Sequence, residues 1–412
     1  MHTTPTSKSN PSHEYQRPAG RLTLSVLVML SLSACASNLA PPSILPLDRV
    51  AEQIPPAATR DSIGDIQQDA ERHLSAFCAQ FWGRDNVWLP TKKQWVYYAE
   101  GWTSRGRMDF EAGEFQAQAL VEPGTDAATA LTPLRTIVDE AVEDTPADMA
   151  RHDSTMRYAK SLAAKRGVNI EPVPVTPPTA TAEPVLADVI EPGAAERLSP
   201  STLTSTSIVG STGKQWTQVT YRVPFKPGYL QRLAARYTDQ VRQEANTFHI
   251  TMRLILAVIE TESAFNPRAT SFVPAYGLMQ IVPTKAGQDA YQRVHGVREV
   301  PGPEFLYDPA HNINLGAAYL SLLDSNYLKE IEDPQSRLYA VIAAYNTGVG
   351  NLAGAFGTNN IHRAAQRVNE MSADDLYQHL RKQLPYEETR RYLAKVIDAQ
   401  SRYQMLEESA GG

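Results

Sequence analysis

Across the 412 residues, the carboxylates best placed for acid–base chemistry lie in residues 254–265, LILAVIETESAF. On a helix, side chains three and four apart share one face. From Glu262 those steps give Ile259, Val258, Ile255 and Leu254, all apolar. From Glu260 they give Ala257, Leu256, Arg253 and Met252, a mixed face. Asn266 and Pro267 end a helix just beyond. Glu262 is therefore expected at a helix C-terminus, partly buried. Apolar surroundings and the negative end of the helix dipole both disfavour its ionised form there. A carboxyl that keeps its proton near neutral pH can act as a general acid. The same spacing fits a glutamate at the edge of an amphipathic helix with its carboxylate in water. Periodicity alone favours that plainer reading.

The elements that must hold this carboxyl read as two parts. Residues 61–82 have helical spacing in Ile63, Ile66, Ala70, Leu74, Phe77 and Phe81. Strand-like pieces follow at 94–98, 106–110 and 114–121, then helical spacing at 127–142 and a short helix at 155–165. Residues 59–170 are thus expected to form an α+β N-terminal domain of unassigned role. Residues 171–213 carry seven prolines among Thr, Ala, Ser and Glu, and are expected to be a disordered linker. Residues 214–225 alternate like a strand returning to the first domain's sheet. Residues 226–405 are expected to be mainly α. One helix spans 228–246, and breaks fall at Asn266/Pro267, Pro283, Pro301–Pro303, Asp308/Pro309, Asp333/Pro334, Gly348/Gly350 and Pro385.

Glu262-Ser263-Ala264-Phe265-Asn266-Pro267, with Ala269, Ser271 and Gly277-Leu278-Met279-Gln280, resembles the ESxFNPxAxS…GLMQ motif of lytic transglycosylases related to goose-type lysozyme. Asp308-Pro309, Asn312-Ile313, Gly316 and Tyr319-Leu320 resemble the family's DPxxNIxxGxxYL helix. Ala344-Tyr345-Asn346-Thr347-Gly348 and Glu388-Thr389-Arg390 with Tyr392 resemble its AYNxG and ETRxY segments, with Thr347 where Gly or Ala is usual. Five blocks in order make chance an implausible cause. Residues 92–110 also resemble the N-terminal region of a membrane-bound member, which lacks the Pro-rich insertion. The resemblance implies a lysozyme-like (goose-type) catalytic domain with Glu262 as the catalytic acid. It implies substrate contacts from Ser271, Gln280, Tyr345, Asn346, Glu388 and Tyr392. The substrate would be peptidoglycan glycan strands, cut without water to leave 1,6-anhydromuramyl ends. Two rival readings share these residues: a hydrolytic muramidase, and a non-catalytic peptidoglycan-binding lipoprotein. Met279, Asp308 and Asn312 are expected to pack or cap rather than touch sugar.

The nine histidines show neither HExxH nor CxxC-type spacing and no phosphate loop occurs, so no metal or other cofactor is expected. A formal charge of −6 with no strongly basic stretch argues against nucleic acid as a partner. At the N-terminus, the apolar run 22–32 is shorter than the roughly 20 residues that span a bilayer, and fits a signal-peptide core. Leu32-Ser33-Ala34-Cys35 follows and resembles a lipobox. Residues 1–34 are thus expected to be a lipoprotein signal peptide, Cys35 the lipidated residue, and 35–58 a tether. Without an aspartate after Cys35, the outer membrane, on its periplasmic face, is the expected location. Cys78, the other cysteine, then has no partner and is expected to be a buried small hydrophobe.

Overall fold

A computed structural model describes residues 63–99, 101–165, 183–271 and 275–410. The expectations for the signal peptide, Cys35 and the tether lie outside these residues.

The first part is built on one antiparallel sheet. Helix α1 (Ile63–Trp82) leads into β1 (Gln94–Tyr98), β2 (Ser104–Asp109) and β3 (Glu114–Val121). Helices α2 (Leu131–Glu143), α3 (Pro146–His152) and α4 (Ser154–Lys165) follow, and then β4 (Thr204–Val209) and β5 (Gln215–Pro224). The strand order is β1-β2-β3-β5-β4. The strand expected at 214–225 does return to the sheet: β5 pairs with β3 along its length, from Glu114 opposite Pro224 to Val121 opposite Thr217.

Both faces of the sheet are covered, so β1 is buried on each side. Val96, Tyr98, Leu120 and Trp216 pack against Leu74, Cys78 and Trp82 of α1. Trp95, Tyr97, Phe115, Ala117 and Val219 face Leu134, Ile137 and Val138 of α2. This is the period-two alternation of a strand between two apolar layers. Arg105 is wholly buried, its guanidinium 3.6 Å from the Trp82 ring centre and 3.7 Å from that of Trp88. Cys78 is free and buried, and burial pushes its thiol pKa up to about 12.

The expected disordered linker is corrected over residues 183–213. Val185, Leu186, Val189, Ile190, Ala194, Ala195 and Leu198 are buried in the main core. Val185 N donates to Asp144 O (2.8 Å), Lys226 N to Val189 O (2.6 Å) and Tyr221 Oη to Ala194 O (2.8 Å). The apolar pairs recur about every four residues, enough to bury a stripe despite the flanking prolines. Residues 204–209 then form edge strand β4. Residues 171–182 of the expected linker lie outside the described residues.

From Tyr229 onward the chain is helical. Helices α5 (Tyr229–Ala235) and α6 (Thr238–Phe248) replace the single helix expected at 228–246. The break at Arg236 and Tyr237 has no Pro or Gly. Tyr237 leaves helical geometry (φ −106°, ψ 1°) and stacks its buried ring on Phe265, 6.3 Å away. Helices α7 (Met252–Ser263), α8 (Gln288–His295), α9 (Pro303–Tyr307), α10 (Pro309–Leu322) and α11 (Pro334–Thr347) follow. The last are α12 (Val349–Ala355), α13 (Ile361–Asn369), α14 (Ala373–Gln383) and α15 (Glu387–Ala410). Asp308 and Asp333 each accept from a backbone N–H of the first turn, with Pro at the first helical position, which explains why both Asp-Pro pairs start helices. Among the described residues no helix is long and apolar enough to cross a membrane.

The two parts share one continuous core. Buried Arg268 pairs with Asp153 of the first part at 3.5 Å, and Lys160 reaches Glu304 at 2.7 Å.

Candidate active site

Glu262 occupies the last turn of α7. The helix ends in Ala264, left-handed at φ 50°, and Phe265 follows at φ 64°. Left-handed geometry at a non-glycine residue costs about 1–3 kcal/mol, so the turn must be held by its surroundings. Phe265 is wholly buried, between the Tyr237 ring and that of Tyr403 at 6.1 Å. Asn266 Oδ1 accepts from Arg268 N (3.0 Å), and Asn266 Nδ2 donates to Lys92 O (3.2 Å).

The carboxyl itself is nearly closed off, with 7% of its side chain exposed. Burial pushes its pKa above the usual carboxylate range. Lys92 opposes that shift, with Nζ 3.9 Å from Glu262 Oε2, and Tyr392 opposes it less strongly; the Glu388 carboxylate adds to it. The plainer reading, a carboxylate reaching water, does not hold. Burial first, and the Glu262 charge second, raise the pKa values of Tyr345 and Tyr392 far above the ordinary range, so both rings keep their hydroxyl protons. The Tyr392 hydroxyl is buried without a well-formed hydrogen bond, near enough to Glu262 to influence its ionisation.

Two cavities meet at Glu262, of about 650 and 510 Å³. Ser271, Gln280, Tyr345, Asn346 and Glu388 line the larger; Tyr392 and Glu388 line the smaller. All six residues expected around Glu262 are therefore brought to one groove. The larger cavity also has Tyr319, Tyr386, Thr389 and Asn351 on its walls. Among the described residues, only Lys92, Glu262 and Glu388 belong to both cavities. Among the described residues no cluster of His, Cys, Asp or Glu could hold a metal ion.

The groove walls are locked by side-chain hydrogen bonds, most of them to backbone. Gln280 has φ 49°, and its Nε2 donates to Ala269 O (3.0 Å) and Gly277 O (3.1 Å). Its Oε1 is buried without a hydrogen-bond partner, the atom best placed to accept from a ligand. Tyr345 Oη donates to Met279 O at 2.8 Å, and Asn346 Oδ1 accepts from Thr389 Oγ1 at 2.7 Å. Asn312 accepts from Met279 N (2.7 Å) and donates to Tyr276 O (2.8 Å) and Leu306 O (2.7 Å). Gly277 has φ 74°, and a Cβ there would collide with Leu306 O and Asn312; one at Gly316 would strike Met279. Met279, Asp308, Asn312 and Gly316 thus act as scaffold. Glu260, two residues from the acid, is drawn away by Arg402 and by the Tyr403 hydroxyl.

Lys92 is a member of the groove to which the sequence alone assigns no role. The residue lies 170 positions before Glu262, and no local pattern links them.

Residues 239–367 match the model of the Transglycosylase SLT domain. That match ends before Glu388 and Tyr392. Membrane-bound lytic murein transglycosylase C of Salmonella arizonae is 46% identical over 177 residues, 43% of this chain and 49% of the relative. The protein of the same name from Klebsiella pneumoniae is 44% identical over the same shares. The chain thus matches about half the length of these curated relatives. Two solved structures overlap 41% of this chain and 24% of their own, with TM-scores of 0.32. They are an inactive mutant of lytic transglycosylase Slt from Pseudomonas aeruginosa (27% identical) and the 70 kDa soluble lytic transglycosylase from Escherichia coli (26% identical). With Glu262 in its first resemblance block and the groove built around it, this chain carries a transglycosylase SLT domain and is similar to the membrane-bound lytic murein transglycosylases.

Proposed function

We propose that the chain is a lytic transglycosylase cutting the β-1,4 bond between N-acetylmuramic acid and N-acetylglucosamine in peptidoglycan, and that its helical part is lysozyme-like of the goose type. The observation that carries this is Glu262: a buried carboxyl, raised in pKa, at the junction of two cavities, the larger lined by amide and phenol groups and the smaller mostly by charged side chains. Protonated Glu262 donates to the glycosidic oxygen as the bond to C1 breaks. The oxocarbenium-like centre that forms is relieved with help from the muramyl N-acetyl group. Glu262, now a carboxylate, takes the proton of the C6 hydroxyl as that oxygen closes on C1. No water enters, and Glu262 ends protonated as it began. Gln280 Oε1, Asn346 and Ser271 suit hydroxyl and N-acetyl partners, and Tyr345 and Tyr392 supply rings and a hydroxyl.

Glu388 favours a second reading. Hydrolytic glycosidases place a second carboxylate about 5–9.5 Å from the acid, and Glu388 shares Lys92 with Glu262. Glu388 is open to solvent and paired with the Lys92 ammonium, a poor setting for a base. Mass spectrometry of products from purified sacculi separates the two: anhydro ends weigh one water less than reducing ends. Reducing ends as the main product would refute the transglycosylase reading. The resemblance at Cys35 supports a lipid anchor on the periplasmic face of the outer membrane.

A further inference from the structure

Lys92 is supplied by the α+β part, in the turn that precedes β1, and stands between the two carboxylates of the groove. Its Nζ lies 3.3 Å from Glu388 Oε1 and 3.9 Å from Glu262 Oε2. Its backbone is fixed as well: the wholly buried Asn266 donates to the Lys92 carbonyl at 3.2 Å. Asn266 belongs to the turn that ends α7, so the turn that carries the acid also grips the lysine's backbone. Among the described residues, Lys92 alone comes within ion-pair range of Glu262.

We propose that Lys92 is a positioning residue for Glu262, setting the direction and charge balance of that carboxyl, and that the Glu388 carboxylate offsets the ammonium's charge. The inference rests on the reading of Glu262 as acid and then base. A carboxyl buried with no cation holds its proton well enough to start the reaction. It is then slow to become the carboxylate that the second step needs. An ammonium at 3.9 Å stabilises that carboxylate. A free ammonium would also oppose positive charge growing at C1, and Glu388 offsets that charge. The groups facing Glu262 are Lys92 and Lys93 from the turn before β1, Tyr392 and Glu388 from α15, and Tyr345 from α11. Lys92 lowers the Glu262 pKa and Glu388 raises it. Lys92 is 35% exposed, so water screens the pair in the open groove; a bound glycan strand that displaces the water strengthens it.

The test is the pH profile of kcat/KM for release of anhydro product from a soluble glycan oligosaccharide, with the full chain, for wild type, Lys92→Met, Lys92→Arg and Glu388→Gln. Activity needs protonated Glu262, so its pKa in the free enzyme sets the basic limb. Removing Lys92 should move that limb to higher pH and lower kcat more than it changes KM. Removing the Glu388 charge should move the limb to lower pH. Lys92→Arg should restore the wild-type limb. Opposite shifts from two partners of one ion pair do not follow from a merely structural role. Glu388 is 73% exposed, so its variant reports even where Lys92→Met fails to fold. Coincident limbs in folded variants, or shifts in one direction for both, overturn the proposal for Lys92 alone. A wild type that releases no anhydro product overturns the underlying reading instead, and this proposal with it.

Discussion

Glu262→Gln keeps the size of the side chain and its capacity to hydrogen-bond but removes the transferable proton. General acid–base help is worth about 10²–10⁴-fold in most enzymes. Here one carboxyl serves both the protonation and the ring closure, and among the described residues the other carboxylates on the larger cavity reduce to Glu388, paired with Lys92. The loss in kcat should therefore reach about 10⁴-fold, which is about 5.4 kcal/mol of transition-state stabilisation. Stability should move the other way. The folded pKa of Glu262 is raised above the ordinary value of 4.5, mainly by burial. A carboxyl raised in this way stabilises the fold relatively below its unfolded pKa. That advantage is lost as pH rises through the folded value, because an ionised group must then stay buried. Glutamine has no such cost. The variant's Tm should match wild type in acid and gain on it above pH 4.5, with lost attraction to Lys92 subtracting part of the gain. Product quantification by mass spectrometry and melting curves across pH provide the two readouts. Turnover above about one per cent of wild type would lie outside the range of a general acid–base loss and would refute the assignment. A melting difference independent of pH would refute the buried, raised carboxyl.

Three further outcomes can be checked. Glu260→Gln should lower Tm by a few degrees while leaving the pH profile in place, because it weakens contacts with Arg402 and Tyr403 worth about 1–2 kcal/mol and touches no cavity wall of the main groove; a changed profile would place Glu260 in the chemistry. Leu186→Ala should cost about 2–5 kcal/mol in a denaturant titration, since Leu186 is wholly buried; an unchanged midpoint would return the segment to a tether. Cys35→Ser should move the protein from the membrane to the soluble periplasmic fraction, and a variant that stays bound without lipid would end the anchoring argument.

Much of the site was legible because its signals are local. The apolar stripe behind Glu262 runs through a single helix, and the Asp-Pro pairs carry their own capping chemistry. Strands β1 and β3 are legible to the residue from aromatic content and alternation, and β5 to within one residue at each end. The misread segment shows where composition misleads. Residues 184–198, PVLADVIEPGAAERL, have one proline at the start and a second, Pro192, in the middle of a helix-like apolar spacing. Counting prolines gave a linker; following the spacing gives the buried stripe that the core contains. The break at Tyr237 had no local signal, because it serves a ring stacked on Phe265 from another turn.

The resemblance blocks mix two kinds of residue, and geometry separates them. Gly277 is there because the Leu306 carbonyl and Asn312 leave no room for a Cβ, Gly316 because the Met279 side chain packs against it, and Asn312 because backbone needs a donor and an acceptor at one point. Asn266 holds a carbonyl 174 positions away in sequence. None of these need touch a sugar for its replacement to abolish activity. Ser271, Gln280, Tyr345 and Asn346 line the groove, and three of them are themselves bonded to its walls or lie in a strained turn. Loss of activity alone therefore cannot assign a residue to substrate. An assignment needs a quantity that packing leaves alone, such as the limb of a pH profile. By that standard the α+β part stops being an appendage: through Lys92 it reaches the same carboxyl that the helical part was built to bury.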